Sequence, residues 1–196
     1  MGKYQLAALV IIAIFYIAYL VKSLSLTLKG IKVNQLGHGK KPTSTKVVEK
    51  VLKVVSFLRV AIQLCSVFSL LPLQIKTPAV LQNIGLVLSA IGTIFFITAM
   101  LSMGKNWRAG IAAEDSTNFV KHGIYRISRN PAFCGFDLIY IGTLLVFPSV
   151  IHVIAVVLTI IMFHLQILEE EKFMESAFGT EYQNYKQKVG RYFLFF

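Results

Sequence analysis

The sequence predicts an all-α integral membrane protein built as a bundle of five transmembrane helices, with a large loop and a helical tail on one side. Three observations carry this: the composition, the apolar runs of spanning length, and the one-sided distribution of basic residues. Of 196 residues, 56 % are hydrophobic and only 15 % charged. Soluble domains run nearer 45–50 % apolar and about 25 % charged. Such a chain is too apolar for disorder and cannot cover its apolar surface with polar groups in water. The formal charge of +11, in so greasy a chain, points to a membrane protein with cationic loops rather than to a nucleic-acid binder. Cys65 and Cys134 make no disulfide framework and no metal-binding spacing.

A helix needs about 20 mostly apolar residues to cross about 30 Å of hydrocarbon. The first such run spans about Tyr4 to Val21; lacking a basic start and a small-residue cleavage site, it reads as a retained helix and not as a signal peptide. The second spans about Val51 to Leu71 and contains Arg59 and Gln63. Arg59 is expected to snorkel or to pair with a carboxylate such as Asp137. The third spans about Val80 to Met103. A last apolar stretch of 35 residues, Cys134 to Leu168, is too long for one span, and Phe147-Pro148-Ser149 breaks it near its middle into a tight helical hairpin. Sixteen of the twenty Lys and Arg residues lie in Lys22–Lys50, Lys105–Arg129 and the tail after Glu169, while only Lys3 and Lys76 fall on the opposite side. Basic loops stay inside, so the N-terminus is expected outside and the C-terminus in the cytosol. Residues 1–103 then form three N-terminal helices with a basic loop, and 104–196 form a second loop, the hairpin and a cytosolic helix.

Two inside segments carry the chemistry. In Gly104 to Phe136, Arg129-Asn130-Pro131 reads as a turn into a helix, with Pro131 at its first position and free backbone N–H groups beside it for an anionic group. In the tail, Glu169, Glu170 and Glu171 follow an apolar span directly. At helical spacing Glu170 shares an apolar stripe with Phe163, Ile167 and Met174, whereas Glu171 has polar neighbours. A carboxylate facing a bundle is a functional-site signal; Glu169 and Glu171 read equally well as ordinary charged residues at the interface. The aromatic run Tyr192 to Phe196 is expected to dock in the membrane interface. No nucleotide-binding glycine motif, histidine pair or nucleophile triad is evident, and no metal site is expected.

The pattern Gly123-x-Tyr125-x-x-x-Arg129-Asn130-Pro131-x-Phe133-x-Gly135 resembles the G-x-Y-x-x-x-R-H-P-x-Y-x-G signature of membrane methyltransferases. After the hairpin come Glu169-Glu170 and then Phe178-Gly179-x-Glu181-Tyr182-x-x-Tyr185-x-x-x-Val189-x-Arg191. That ending is similar to the E-E…F-G-x-x-Y-x-x-Y-x-x-x-V-P-R tail of isoprenylcysteine carboxyl methyltransferases. The similarity covers about Gly104 to Arg191. Asn130 stands for His, Phe133 for Tyr and Gly190 for Pro.

The resemblance implies S-adenosylmethionine as methyl donor, held by a cytosolic cofactor-binding loop. It implies cofactor contacts from Thr117, Asn118, Phe119 and Val120, from Tyr125, and from the turn Asn130, Pro131, Ala132 and Phe133. Glu170 aligns with the family's cofactor-binding carboxylate; His122 and the backbone of Gly110 to Ala113 are weaker carry-overs. The family's substrate-side arginine is Gln166 here. The implied acceptor is the carboxylate of a prenylated cysteine or another lipidic carboxylate, with the bilayer as the other partner and no nucleic acid. A phospholipid N-methyltransferase, an NADPH-dependent membrane reductase and a non-enzymatic membrane protein are the alternatives.

Overall fold

The computed structural model describes residues 1–114 and 118–193. Five helices follow one another: α1 (Lys3–Thr27), α2 (Thr43–Val67), α3 (Ala79–Met103), α4 (Pro131–Val146) and α5 (Val150–Lys186), with short 3-10 turns at Gly104–Asn106 and Gly123–Arg126. Among the described residues there are no strands beyond isolated bridges. Lys3–Thr27, Ala79–Asn106 and Val150–Lys186 are long and apolar enough to cross a membrane.

Each boundary has a local cause. Pro42 and Pro78 precede α2 and α3, where a missing N–H and a fixed φ start a helix without loss. Pro131 opens α4 at its first turn. The hairpin breaks where the sequence places it. α4 ends at Val146, Phe147 and Pro148 make the turn, and Ser149 caps α5 by accepting from the His152 N–H at 3.1 Å. The α5 helix bends at Gly179, whose φ of 49° and ψ of −125° suit glycine alone. That bend folds the last turns back toward the loop that precedes α4.

Inside a bilayer apolar burial does not drive helices together, so close packing must. α3 and α4 achieve it by apposed small residues. A Cβ on Gly92 would stand 2.7 Å from the Gly135 carbonyl oxygen, and one on Gly142 would stand 2.3 Å from Ser89 Oγ. The backbones touch there, so Gly92→Leu has no space to enter. Expressed in detergent, that variant should lose its monodisperse, folded species, whereas Ile94→Leu, on an exposed face, should retain it.

α2 lies antiparallel to α5, with Thr45 Oγ1 donating to Glu169 at one end and Arg59 and Gln63 meeting Thr143 of α4 toward the other. Arg59 is 1 % exposed and does not meet Asp137. Its guanidinium lies 4.3 Å from the centre of the Tyr140 ring and 3.5 Å from Thr143 Oγ1. Asp137 Oδ1 is buried with no partner among the described residues. Arg59 thus neither snorkels nor pairs with a carboxylate: a cation–π contact takes the place of both, and its Nε and Nη1 are buried without a hydrogen-bond partner among the described residues.

At the basic end, the two lysine- and arginine-rich segments are tied together. Gln35 N donates to the Ala109 carbonyl at 2.8 Å and Ala109 N to the Val33 carbonyl at 2.9 Å. Glu49 fixes both from α2: it accepts from the N–H of Gly37 at 2.7 Å, from the N–H of Ile111 at 2.9 Å, and from Lys41 Nζ at 2.7 Å. Glu49 is fully buried and its lysine partner nearly so.

Candidate active site

A cavity of about 810 Å³ opens at the basic end and continues down between the helices. Ligand sites commonly occupy about 300–1,000 Å³, so the volume suits one large ligand or two smaller ones. Its two ends differ in chemistry. Toward the basic end the walls are Asn118, Phe119, Tyr125, Glu170, Phe178 and Tyr182. Deeper in, the walls are Phe15, Tyr16, Phe57, Val60, Tyr140 and Phe163, from α1, α2, α4 and α5.

The basic-end walls are held by the returning tail. Arg129 Nε and Nη2 donate to Glu171 Oε1 at 3.1 and 2.9 Å, and its Nη1 donates to the carbonyls of Lys186 and Val189 at 3.1 and 2.6 Å. Arg191 Nη2 donates to Glu171 Oε2 at 2.9 Å. Glu171 therefore sits buried between two guanidinium groups and is no ordinary interfacial charge. Burial alone would raise its carboxyl pKa, but the hydrogen bonds from Arg191 and Arg129 hold it below the usual range. Tyr185 Oη donates to the Tyr125 carbonyl at 2.5 Å. Phe119 packs among Phe178, Tyr182 and Tyr185 with ring centres 5.1, 5.7 and 5.2 Å away. Of the aromatic tail, Tyr192 reaches His164 and Phe193 packs on Phe95; Leu194, Phe195 and Phe196 lie outside the described residues.

Glu170 projects into the cavity one helical step from that ion cluster. It accepts from Gln166 Nε2 at 3.0 Å. Burial pushes its carboxyl up to about 7, with Glu49 adding to the rise and Gln166 and Lys41 opposing it. Gln166 Oε1 is buried and without a hydrogen-bond partner among the described residues. A carboxylate and an unmatched amide oxygen on one wall make a receptor for an ammonium group, which brings a charge and several donors. Burial, with Glu170 and Tyr185 near, raises the Tyr125 phenol well above its ordinary value, so it stays protonated.

Asn118, Phe119, Val120, Tyr125, Asn130, Ala132, Phe133 and Glu170 all line this cavity, together with Gly110, Ile111 and Ala112. Ala113 and His122 are exposed and Pro131 is buried; none of the three is among the lining residues. Thr117 lies outside the described residues. Asn130 Nδ2 donates to the Arg191 carbonyl at 3.1 Å, and its backbone N–H donates to Ser128 Oγ at 3.0 Å. A histidine N–H can make the same tail contact. Asn130→His should therefore keep thermal stability close to wild type, while Asn130→Ala should lose about 1 kcal/mol in thermal denaturation. Sequence reasoning passed over Glu49 and Lys53, and left Glu171 divided between a functional and an ordinary interfacial charge. The signal for Glu49 was available: a carboxylate just before an apolar span, beside a lysine-rich loop.

The comparisons with known proteins agree with this architecture. The family model described as phospholipid methyltransferase matches residues 81–181, just over half of the chain, and the chain belongs to that family. The individual relatives it resembles are isoprenylcysteine methyltransferases. Protein-S-isoprenylcysteine O-methyltransferase A of Arabidopsis thaliana is 30 % identical over 111 residues, covering 55 % of this chain and 56 % of that protein. Protein-S-isoprenylcysteine O-methyltransferase of Tribolium castaneum is 34 % identical over 113 residues, covering 56 % and 40 %. This chain thus aligns with about half the length of the curated relatives it matches. A solved structure of the eukaryotic intramembrane Ras methyltransferase, isoprenylcysteine carboxyl methyltransferase, superposes with a TM-score of 0.55 at 25 % identity, covering 80 % of this chain and 54 % of that one.

Proposed function

We propose that the chain transfers a methyl group from S-adenosylmethionine to the C-terminal carboxylate of an isoprenylated cysteine. The observation that carries this reading is a single cavity with an ammonium receptor, Glu170 and Gln166, at its basic end and a lipid-like lining beyond it. S-adenosylmethionine carries an α-ammonium group, which suits Glu170 and the unmatched Gln166 oxygen. Phe119, Phe178 and Tyr182 offer aromatic faces for its adenine, and Asn118, Val120, Tyr125, Asn130, Ala132 and Phe133 complete its walls. When bound, the donor supplies an electrophilic methyl on a sulfonium: the carboxylate oxygen takes the carbon, the S–C electron pair stays on sulfur, and no proton is lost.

The acceptor needs no base, because a carboxylate with pKa about 3.5 is already ionised at pH 7. The residues of the chain therefore act by position. They hold the two reacting atoms about 3–3.5 Å apart and in line. Phe15, Tyr140 and Phe163, all buried, keep water away, which favours a reaction that joins a cation to an anion. The apolar half takes the prenyl chain, at about 0.8 kcal/mol per buried CH₂.

Five membrane spans, with the N-terminus outside and the basic end cytosolic, belong to this reading. The one-sided lysines and arginines support it. Incubation with labelled S-adenosylmethionine and N-acetyl-S-farnesyl-cysteine should transfer label to the cysteine derivative; no transfer in purified, folded protein would refute the proposed activity. A second reading, methylation of a phospholipid amine, is favoured by the match to the phospholipid methyltransferase family model. Amine methylation requires a proton acceptor, and Glu170, engaged with the donor's ammonium group, does not supply it.

A further inference from the structure

A carboxylate entering from the bilayer must meet a cation, and most of the charge at this site is already engaged. Among the cationic side chains that line the cavity, Arg129 spends its donors on Glu171 and on two tail carbonyls. Arg108 Nη1 donates to the carbonyls of Lys105 and Trp107 at 2.8 and 3.0 Å. Arg59 is sealed behind Tyr140 and is not part of the lining. Lys53 lines the cavity and is exposed, and no hydrogen bond or ion pair joins it to the described residues.

Its place along α2 is as telling as its freedom. Lys53 shares one helix face with Ser56, Phe57 and Val60, which also line the cavity. Across from them stand Tyr16, Tyr19 and Leu20 of α1. Phe57 is 76 % exposed and Leu20 61 % exposed, so this stretch of wall is a lateral opening between α1 and α2. Lys53 is eight residues beyond Thr45, which meets Glu169, and ten before Gln63, which meets Tyr16 and Thr143. At 1.5 Å per residue these are about 12 and 15 Å. The lysine therefore lies between the ammonium receptor and the apolar depth. Helical side chains lean toward the helix N-terminus and lysines snorkel toward water, a direction that on α2 leads from Lys53 back toward the basic end.

We infer that Lys53 is the carboxylate-recognising residue for an amphiphilic acceptor that enters laterally between α1 and α2, its apolar chain lying along Phe57 and Val60. This inference rests on the proposed activity for its biological meaning, but it makes a binding claim that stands separately. The probes are N-acetyl-S-farnesyl-cysteine and its methyl ester, which share the prenyl chain and differ in the negative charge. Binding is measured by competition in detergent micelles, with S-adenosylhomocysteine present. Wild type should bind the free acid about tenfold or more tighter than the ester, the scale of one hydrogen bond to a charged group. Lys53→Met should abolish that preference and leave ester binding unchanged, Lys53→Arg should restore it, and Lys76→Met at the opposite end should leave it intact. A wild type with no preference for the acid, a Lys53→Met protein that keeps the preference, or one that loses acid and ester binding equally would each overturn the assignment. Failure of methyl transfer with the acid preference and its Lys53 dependence intact would refute the proposed activity and not this site.

Discussion

Glu170→Ala protein should bind S-adenosylhomocysteine roughly thirtyfold or more weakly than wild type, while inserting and folding as before. Truncating one partner of a buried charge pair costs about 2–5 kcal/mol, and 1.4 kcal/mol is tenfold. The loss falls on binding, not on the fold, because the load-carrying ion cluster of the tail is built on Glu171, one residue further along α5. Glu170→Gln should recover little, since the amide keeps the shape but not the charge. The pH dependence has a definite sign. Burial raises the Glu170 carboxyl to about 7, so in the empty cavity it is largely protonated below that pH. An ammonium ligand needs it ionised, so affinity should rise as pH increases through about 7 and level off above. Calorimetric titration across that range checks both statements; unchanged affinity in Glu170→Ala would remove Glu170 from the site.

The second large effect falls on stability. Glu171→Ala leaves Arg129 and Arg191 facing each other, and Arg129 buried, with no carboxylate between them. Breaking a buried ion pair in this way costs about 3–5 kcal/mol. The tail Lys186–Arg191 should come away from the loop at Ser128–Asn130, and Phe119 should lose its aromatic packing against the tail. Proteolysis should then cut the tail in the variant and spare it in wild type. In wild type, the two arginines hold the Glu171 carboxyl below its unfolded value. Its contribution is therefore fully present above the ordinary glutamate pKa of about 4.3 and is lost as pH falls through the folded value. A tail equally resistant in the variant would contradict the clasp.

Much of the helical frame can be read from the sequence because the spans are long apolar runs with proline punctuation. Pro148 marks the hairpin, and Pro131 marks the start of α4, within a residue or two of where the helices turn. α2 is read short for a physical reason. The apolar run begins near Val51, but the helix begins at Thr43, since its first two turns are polar and hold Thr45 and Glu49 against the loops and α5. Periodicity separates Glu170 from Glu171 correctly as to face. It cannot show that the polar face of Glu171 is covered, because Arg129 and Arg191 arrive from segments 42 and 20 residues away. The Arg59–Asp137 expectation fails for a related reason: spacing along the chain does not reveal that Tyr140 reaches the guanidinium first. Lys53 is invisible to pattern reading, where it is one more lysine near a membrane surface.

The central claim is that a carboxylate, held in a cavity without an external base, receives the methyl group. The most direct measurement offers purified protein N-acetyl-S-farnesyl-cysteine and phosphatidylethanolamine in parallel, with methyl-labelled S-adenosylmethionine, and then treats both products with mild alkali. An ester releases its label as volatile methanol, and an N-methyl group does not. The account predicts label in the farnesyl-cysteine product alone, released completely by base. Base-stable label in the phospholipid, with none in the farnesyl-cysteine, would contradict it.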